Sequence, residues 1–202
     1  MSDGGPRIRL AAGDDARDCL AIYAPEVEGT AVSFELEPPS LEEMRRRILS
    51  TLALTPWLVA EDGAAVWGYA YAGPFRARPA YQWTTEATVY VHSGHRGKRV
   101  GKALYTALLA ALRAAGYRSV VGGITLPNPA SVALHEGLGF RTVGAFKAAG
   151  FKFGRWHDVG FWQLELSGGE APAAAPRTLS SLLGTPEWEA ALRDGTGVLL
   201  RP

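Results

Sequence analysis

The sequence predicts a mixed α/β (α+β) fold built on one sheet of about seven strands with about four helices around it. Three observations carry that prediction. Asp62-Gly63 sits between two apolar runs and reads as a tight hairpin turn, hence antiparallel neighbours. Residues 84–112, TTEATVYVHSGHRGKRVGKALYTALLAAL, read as strand, loop and helix, followed by another strand, hence a crossover. Along the rest of the chain, runs of alternating polarity and runs with helical spacing follow one another in the order strand, two helices, three strands, helix, strand, helix, two strands.

The elements follow in order. Residues 1–6 are a loose terminus and 7–10 a short strand. Asp14 is expected to cap a helix over 15–24, with Ala16, Cys19, Leu20 and Tyr23 on one face. Residues 29–39 are a loop holding Phe34. Ser40 and Glu43 have capping-box spacing, and Leu41, Met44, Ile48 and Leu52 continue at helical spacing until Pro56 stops the helix. Strands over 57–61 and 65–72 flank the Asp62-Gly63 turn. Residues 73–83, GPFRARPAYQW, carry too much Pro, Gly and polarity for a strand and form a loop. A strand over 87–91 leads to a helix over 100–115, with Leu104, Leu108 and Leu112 one turn apart and Gly116 at its end. Residues 119–124 are a β-branched strand. Asn128 caps the next helix, Pro129 takes its first position and Gly139 stops it. Two strands follow, over 141–149 and 156–166. Residues 168–177 are rich in Gly, Ala and Pro and read as a linker, and 186–193 as a short helix with Trp188 and Leu192 on one face. The domain is thus expected at 1–167, with a flexible linker and helical tail at 168–202.

Hydrophobic residues make up 47% of the chain and charged residues 20%, which suits a globular protein with a sizeable core. A net charge of +1 supplies no field for nucleic acid or a membrane surface, so neither is expected as a partner. The single cysteine, Cys19, excludes an intramolecular disulfide and fits a reducing compartment. No apolar leader or membrane-length run is visible, and the expected location is the cytoplasm.

The cations are local. Arg96, Lys98, Arg99 and Lys102 crowd a loop that opens a helix, with Gly97 and Gly101 between them. Free N–H groups and the helix dipole make such a junction an anion site. It is not a phosphate loop of the nucleotide-hydrolase kind: Gly97-x-x-x-Gly101-Lys102 is one residue short, and Ala103 stands where Ser or Thr would bind magnesium. No G-x-G-x-x-G is present, which removes the dinucleotide reading.

The loop Arg96-Gly97-Lys98-Arg99-Val100-Gly101 resembles the donor-binding signature of the GNAT N-acetyltransferases, with Arg99 where a glycine is expected. A second signature runs through Asn128, Ser131, Leu134, His135, Gly139 and Phe140. Across residues 7–166, the strings TVYVHSGHRGKRVGKALYTALL, ITLPNPASVALHEGLGF and RWHDVGFWQ are similar to the phosphinothricin and methionine sulfoximine acetyltransferases. The resemblance implies a twisted mixed sheet splayed between its fourth and fifth strands, with acetyl-CoA in the splay. The pantetheine would pair with Val89, Tyr90 and Val91, the pyrophosphate would sit on the amides of Gly97, Lys98, Arg99, Val100, Gly101 and Lys102, and Asn128 would lie near the pantetheine. No metal is implied, and a homodimer is expected.

An amine acceptor needs a base. Glu86, at the start of the central strand, is that base by resemblance, acting through water; the alternative is a surface glutamate at a strand edge. His135 stands where many relatives carry a tyrosine, as acid, base or orienting group; the alternative is a packed helix histidine. Arg76 and Arg78 beside aromatics suit a small carboxylate or phosphinate. The resemblance adds Phe34, Tyr81 and Val159 to the acceptor pocket, with Thr125 where a glycine is expected. Phosphinothricin, methionine sulfoximine, methionine sulfone or another small amino acid fits such a site. Another amine, such as a peptide N-terminus, and a non-catalytic acyl-CoA-binding protein are the rival readings. His157-Asp158 is read as a strand segment near the pocket rather than a metal seed, and Trp156 and Trp162 as core or dimer interface.

Overall fold

The structure, a computed structural model, describes residues 5–168 and 174–201. Seven strands form one sheet in the order β1-β2-β3-β4-β5-β7-β6. They are β1 (Arg7–Leu10), β2 (Trp57–Glu61), β3 (Val66–Pro74), β4 (Thr84–Val91), β5 (Ser119–Leu126), β6 (Arg141–Lys152) and β7 (Arg155–Glu165). The helices are α1 (Ala16–Gly29), α2 (Leu41–Leu52), α3 (Val100–Ala115), α4 (Pro129–Gly137), α5 (Leu179–Leu182) and α6 (Pro186–Leu199).

Strand alternation divides the core. Leu58, Ala60, Ala70, Ala72, Ala87 and Val120 face α3 and meet its Leu104, Leu108 and Leu112. Trp57, Val59 and Tyr69 face the other way and meet Cys19, Ile22 and Val27 of α1 and Met44 and Ile48 of α2.

Every strand pair is antiparallel except β4 with β5. That parallel ladder has three rungs only: Thr84 with Ser119, Thr85 with Val120, and Glu86 with Val121. Past Glu86, β4 keeps β3 as its neighbour while β5 continues beside β7 alone. The expected splay is therefore present, and it opens immediately after Glu86.

Several local expectations change. Asp14 does not cap α1. Asp15 takes the Ala12 N–H at 2.7 Å and the Arg9 guanidinium, while Asp14 pairs with Arg45. The helix runs through Pro25 to Gly29, because burial of Val27 outweighs the lost backbone hydrogen bond. Ser40 caps α2 as expected, accepting the Glu43 N–H at 3.1 Å, but the Glu43 carboxylate turns to Arg46 and Arg47 and leaves the box half made. β4 begins at Thr84 rather than Ala87, since Thr84, Thr85 and Glu86 pair on both sides or with β5 alone.

The largest change is at the C-terminus. Residues 169–173 of the expected linker lie outside the described residues. Beyond them α5 and α6 belong to the core: Leu179, Leu182, Trp188 and Ala191 are buried with the α3 side of the sheet. Gly195 allows α6 to touch α3, since a Cβ there would stand 2.7 Å from the Ala107 Cβ and 2.8 Å from the Ala103 carbonyl. Thr196 accepts the Ile8 N–H at 3.0 Å, tying α6 to β1. The described part of 168–202 is not a tail apart from the domain. Its apolar face is needed to cover α3.

Candidate active site

The loop before α3 makes a tight turn with two left-handed residues, Gly97 at φ 75° and Arg99 at φ 61°. The second costs a side-chain residue about 1 kcal/mol and explains why glycine suits that slot. Arg99 is the residue before α3, so the turn aims the first amides of the helix outward. A cleft of about 510 Å³ lies over them. Of the residues expected to hold the donor, Val89, Tyr90, Val91, Gly97, Arg99, Val100, Gly101, Lys102 and Asn128 line this cleft; Lys98 does not. Arg96 is an ion-pair partner of Glu26 on α1, so it anchors the loop. His95 stacks on Trp67 at 4.8 Å. Along the cleft wall the backbone of β4 lacks a β5 partner beyond Glu86, which leaves peptide groups for an extended ligand.

His135 lies on α4, nearly buried. Its Nδ1 is 2.8 Å from the Ser131 carbonyl, which requires the proton there. Nε2 is then an acceptor, 3.4 Å from the Tyr105 hydroxyl. Burial pushes the imidazole pKa below its ordinary value, so the ring is neutral at pH 7. The Tyr105 phenol is pushed far up by its own burial and stays protonated.

Glu86 faces the opposite side of the sheet. Its Oε1 would be 3.2 Å from a Cβ on Gly123, while His135 Nε2 would be 2.5 Å from one on Gly122. Neighbouring strand residues point to opposite faces, so these two glycines let the carboxylate and the imidazole approach β5 from either side. Burial raises the Glu86 pKa, and the nearby Arg76 opposes the rise. A small cavity in the splay is lined by His135, Tyr105, Gly123, Thr125, Asn128 and Val89. It shares Val89 and Asn128 with the donor cleft.

A third cleft, about 530 Å³, opens beside Val121, the last β5 partner of Glu86. Arg76 and Tyr81 line it, joined by Phe75, Phe161 and Gln163. The other expected acceptor residues are elsewhere. Arg78 lines a separate cavity. Phe34 packs over Gly150 and lies 6.1 Å from the His157 ring. Thr125 is in the splay, and Val159 pairs with Thr125 on β5 and with Phe146 on β6.

The Acetyltransferase (GNAT) domain matches residues 8–160. The chain belongs to the GNAT acetyltransferase family. A phosphinothricin N-acetyltransferase from Streptomyces viridochromogenes is 45% identical over 166 residues, 82% of this chain and 89% of that protein. An L-methionine sulfoximine/L-methionine sulfone acetyltransferase from Pseudomonas aeruginosa is 40% identical over 162 residues, 79% and 94% of the two chains. Among solved structures, YncA of Salmonella typhimurium, solved with its cofactor acetyl-CoA, superposes with a TM-score of 0.80 at 34% identity, covering 85% of this chain and 99% of that one.

In this GNAT chain, sequence reasoning passed over Tyr105, Gly122, Gly123 and Phe161. Tyr105 did carry a signal, as a hydroxyl inside an otherwise apolar helix face. The two glycines in a β-branched strand signalled close approach. The His157-Asp158 pair divides: His157 Nε2 is 3.1 Å from the Lys152 carbonyl, and Asp158 takes Lys147 and the Ala148 N–H. Cys19 is fully buried, which pushes its thiol to about 12 and leaves it unreactive. Trp162 is core, donating to Glu136, whereas Trp156 is exposed. Among the described residues no helix is long and apolar enough to cross a membrane.

Proposed function

We propose that the chain transfers an acetyl group from acetyl-CoA to the α-amine of a small amino-acid-like acceptor of the phosphinothricin, methionine sulfoximine or methionine sulfone kind. One observation carries the reading: the sheet parts immediately after Glu86, with the donor cleft along the β4 residues beyond it and the Arg76 cleft beside its β5 partner Val121. The names of the two enzyme relatives agree with the acceptor class.

The donor site fits acetyl-CoA: helix amides and Lys102 for the pyrophosphate, and open β4 backbone for the pantetheine. The bound donor supplies the acetyl thioester. The chain supplies the rest. Arg76 makes a bidentate contact to the acceptor carboxylate or phosphinate, with Tyr81 packing beside it. Glu86, poised by partial burial, removes the ammonium proton through water and frees the amine lone pair. The amine nitrogen attacks the thioester carbonyl, the C–N bond forms and the C–S bond breaks. The nitrogen sheds its remaining extra proton as the C–S bond breaks and the departing sulfur takes one up, while His135, accepting the Tyr105 hydroxyl at Nε2, shapes the wall of the splay beside them.

We further propose that the protein acts in the cytoplasm as a homodimer. β6 is one sheet edge, and it, its turn and the start of β7 expose Val143, Phe146, Phe151, Phe153 and Trp156. Such an apolar edge suits a second copy. Phe146 also lines the Arg76 cleft, which joins the two surfaces.

The test is thiol release from acetyl-CoA across phosphinothricin, methionine sulfoximine, methionine sulfone and free amino acids. Turnover with at least one of the first three at low KM is expected. Turnover with none of the panel defeats the acceptor claim.

A further inference from the structure

We infer that the chain carries a second small-molecule site, for a polyvalent oxyanion, between the loop over residues 74–82 and the C-terminal segment over 176–178.

The site is a cavity of about 350 Å³ whose polar lining includes Arg76, Arg78, Gln82, Thr85, Tyr117 and Arg177. Its outer wall is strapped in place. The Trp83 Nε1–H donates to the Ala174 carbonyl at 3.0 Å, the Arg177 N–H to Ala115 at 2.7 Å and the Leu179 N–H to Leu54 at 3.2 Å. Leu179 and Leu182, both buried, anchor the far end. The cavity is thus part of the fold and not a gap beside a loose end.

Its charge is one-sided. Three arginines line it and no carboxylate does. Two of them bond only to main-chain oxygens, Arg76 to Phe75 and Arg177 to Ser181. Among the described residues no acidic side chain lies within ion-pair distance of Arg76, Arg78 or Arg177. Arg78 and Arg177 are therefore available to an anion, and Arg76 is shared with the acceptor cleft.

Thr85 supplies the independent sign. It is 2% exposed, lines the cavity, and its Oγ1 has no hydrogen-bond partner. A buried hydroxyl left unpaired is unfavourable, a cost that a bound oxygen acceptor relieves. Thr85 points away from Glu86, its neighbour on β4. Arg76, Tyr81 and Thr84 form the wall common to this cavity and the acceptor cleft. The strap falls beyond residue 160, where the family match ends. The volume exceeds what inorganic phosphate fills and suits a tricarboxylate or a small phosphorylated metabolite.

Calorimetric titration of the full-length protein, with and without saturating acetyl-CoA, tests this. Citrate and pyrophosphate are the probes and separate the carboxylate from the phosphate source. At least one is expected to bind with unit stoichiometry in the presence of acetyl-CoA, which occupies the α3 loop. Arg177→Ala and Thr85→Val should each weaken it about tenfold, the loss of one hydrogen bond to a charged partner. Lys102→Ala should leave it unchanged. Absence of binding by both probes at millimolar concentration overturns the inference, as does wild-type affinity in either the Arg177→Ala or the Thr85→Val variant, or loss on Lys102→Ala. Because binding is read directly, none of these results depends on the identity of the amine acceptor.

Discussion

A Cβ on Gly122 would stand 2.5 Å from His135 Nε2. The imidazole of α4 reaches the splay only because β5 has no side chain at that point. Gly122→Ala should push the ring off the Tyr105 hydroxyl while leaving the donor cleft intact. An expected fall in kcat of about 100-fold, with acetyl-CoA KM little changed, follows from displacing a positioned group by roughly 1 Å. Wild-type kcat in a variant with native circular dichroism would remove His135 from the mechanism.

Glu86 gives a paired prediction. Glu86→Gln should lower kcat by about 100-fold or more while sparing the KM for acetyl-CoA. Burial raises the folded-state pKa of Glu86 above its ordinary 4.5, so the unfolded chain ionises more easily. The charge therefore costs its full amount of stability above the folded pKa, and the cost fades as pH falls from there toward the unfolded value. Glu86→Gln should melt higher than wild type near neutrality, with the gain shrinking in acid. Arg76 works against the rise, so Arg76→Gln should move the acid limb of the kcat/KM profile to higher pH. An unmoved limb would mean that another group titrates.

Arg99 holds φ 61° where glycine carries no penalty. Arg99→Gly should stabilise the fold by about 1 kcal/mol, read from denaturant unfolding, whereas the β-branched Arg99→Val should destabilise it. If both variants destabilise equally, the side chain of Arg99 matters more than its backbone.

Trp188 is 4% exposed in the core that α6 shares with α3. Trp188→Ala should cost about 3 kcal/mol by truncating a buried aromatic. Removal of residues 168–202 should leave an aggregation-prone protein with the apolar face of α3 uncovered. A stable, active truncation would return that segment to the status of an appendage.

For the proposed homodimer, Phe146→Glu with Trp156→Glu should convert dimer to monomer in sedimentation velocity. Each side chain is 64% exposed in one copy, so the fold itself should tolerate both changes. A dimer that persists places the interface elsewhere.

Much of this was legible in the residues. Helical spacing and Gly116 bounded α3 correctly, Asn128 and Pro129 started α4, and Asp62-Gly63 turned the β2–β3 hairpin, because each is set by neighbours in the chain. The glycine slot now held by Arg99 was visible as a departure from a pattern, although its positive φ was not. Asp14 looked as good a cap as Asp15, and only the position of Arg9 on the adjacent strand separates them.

The sequence by itself determined the order of elements, the cation-rich loop before α3 and the presence of Glu86 and His135. Tertiary structure alone decided where the sheet parts, that Gly122 and Gly123 admit those two groups from opposite faces, and that Arg76 lines two cavities while Arg78 lines one of them. It also drew α6 into the core. Capping, turns and periodicity act over a few residues and can be read locally. Strand pairing, cavity lining and the burial of Trp188 against α3 join residues far apart in the chain, and the free energy that selects them comes from packing the whole domain at once.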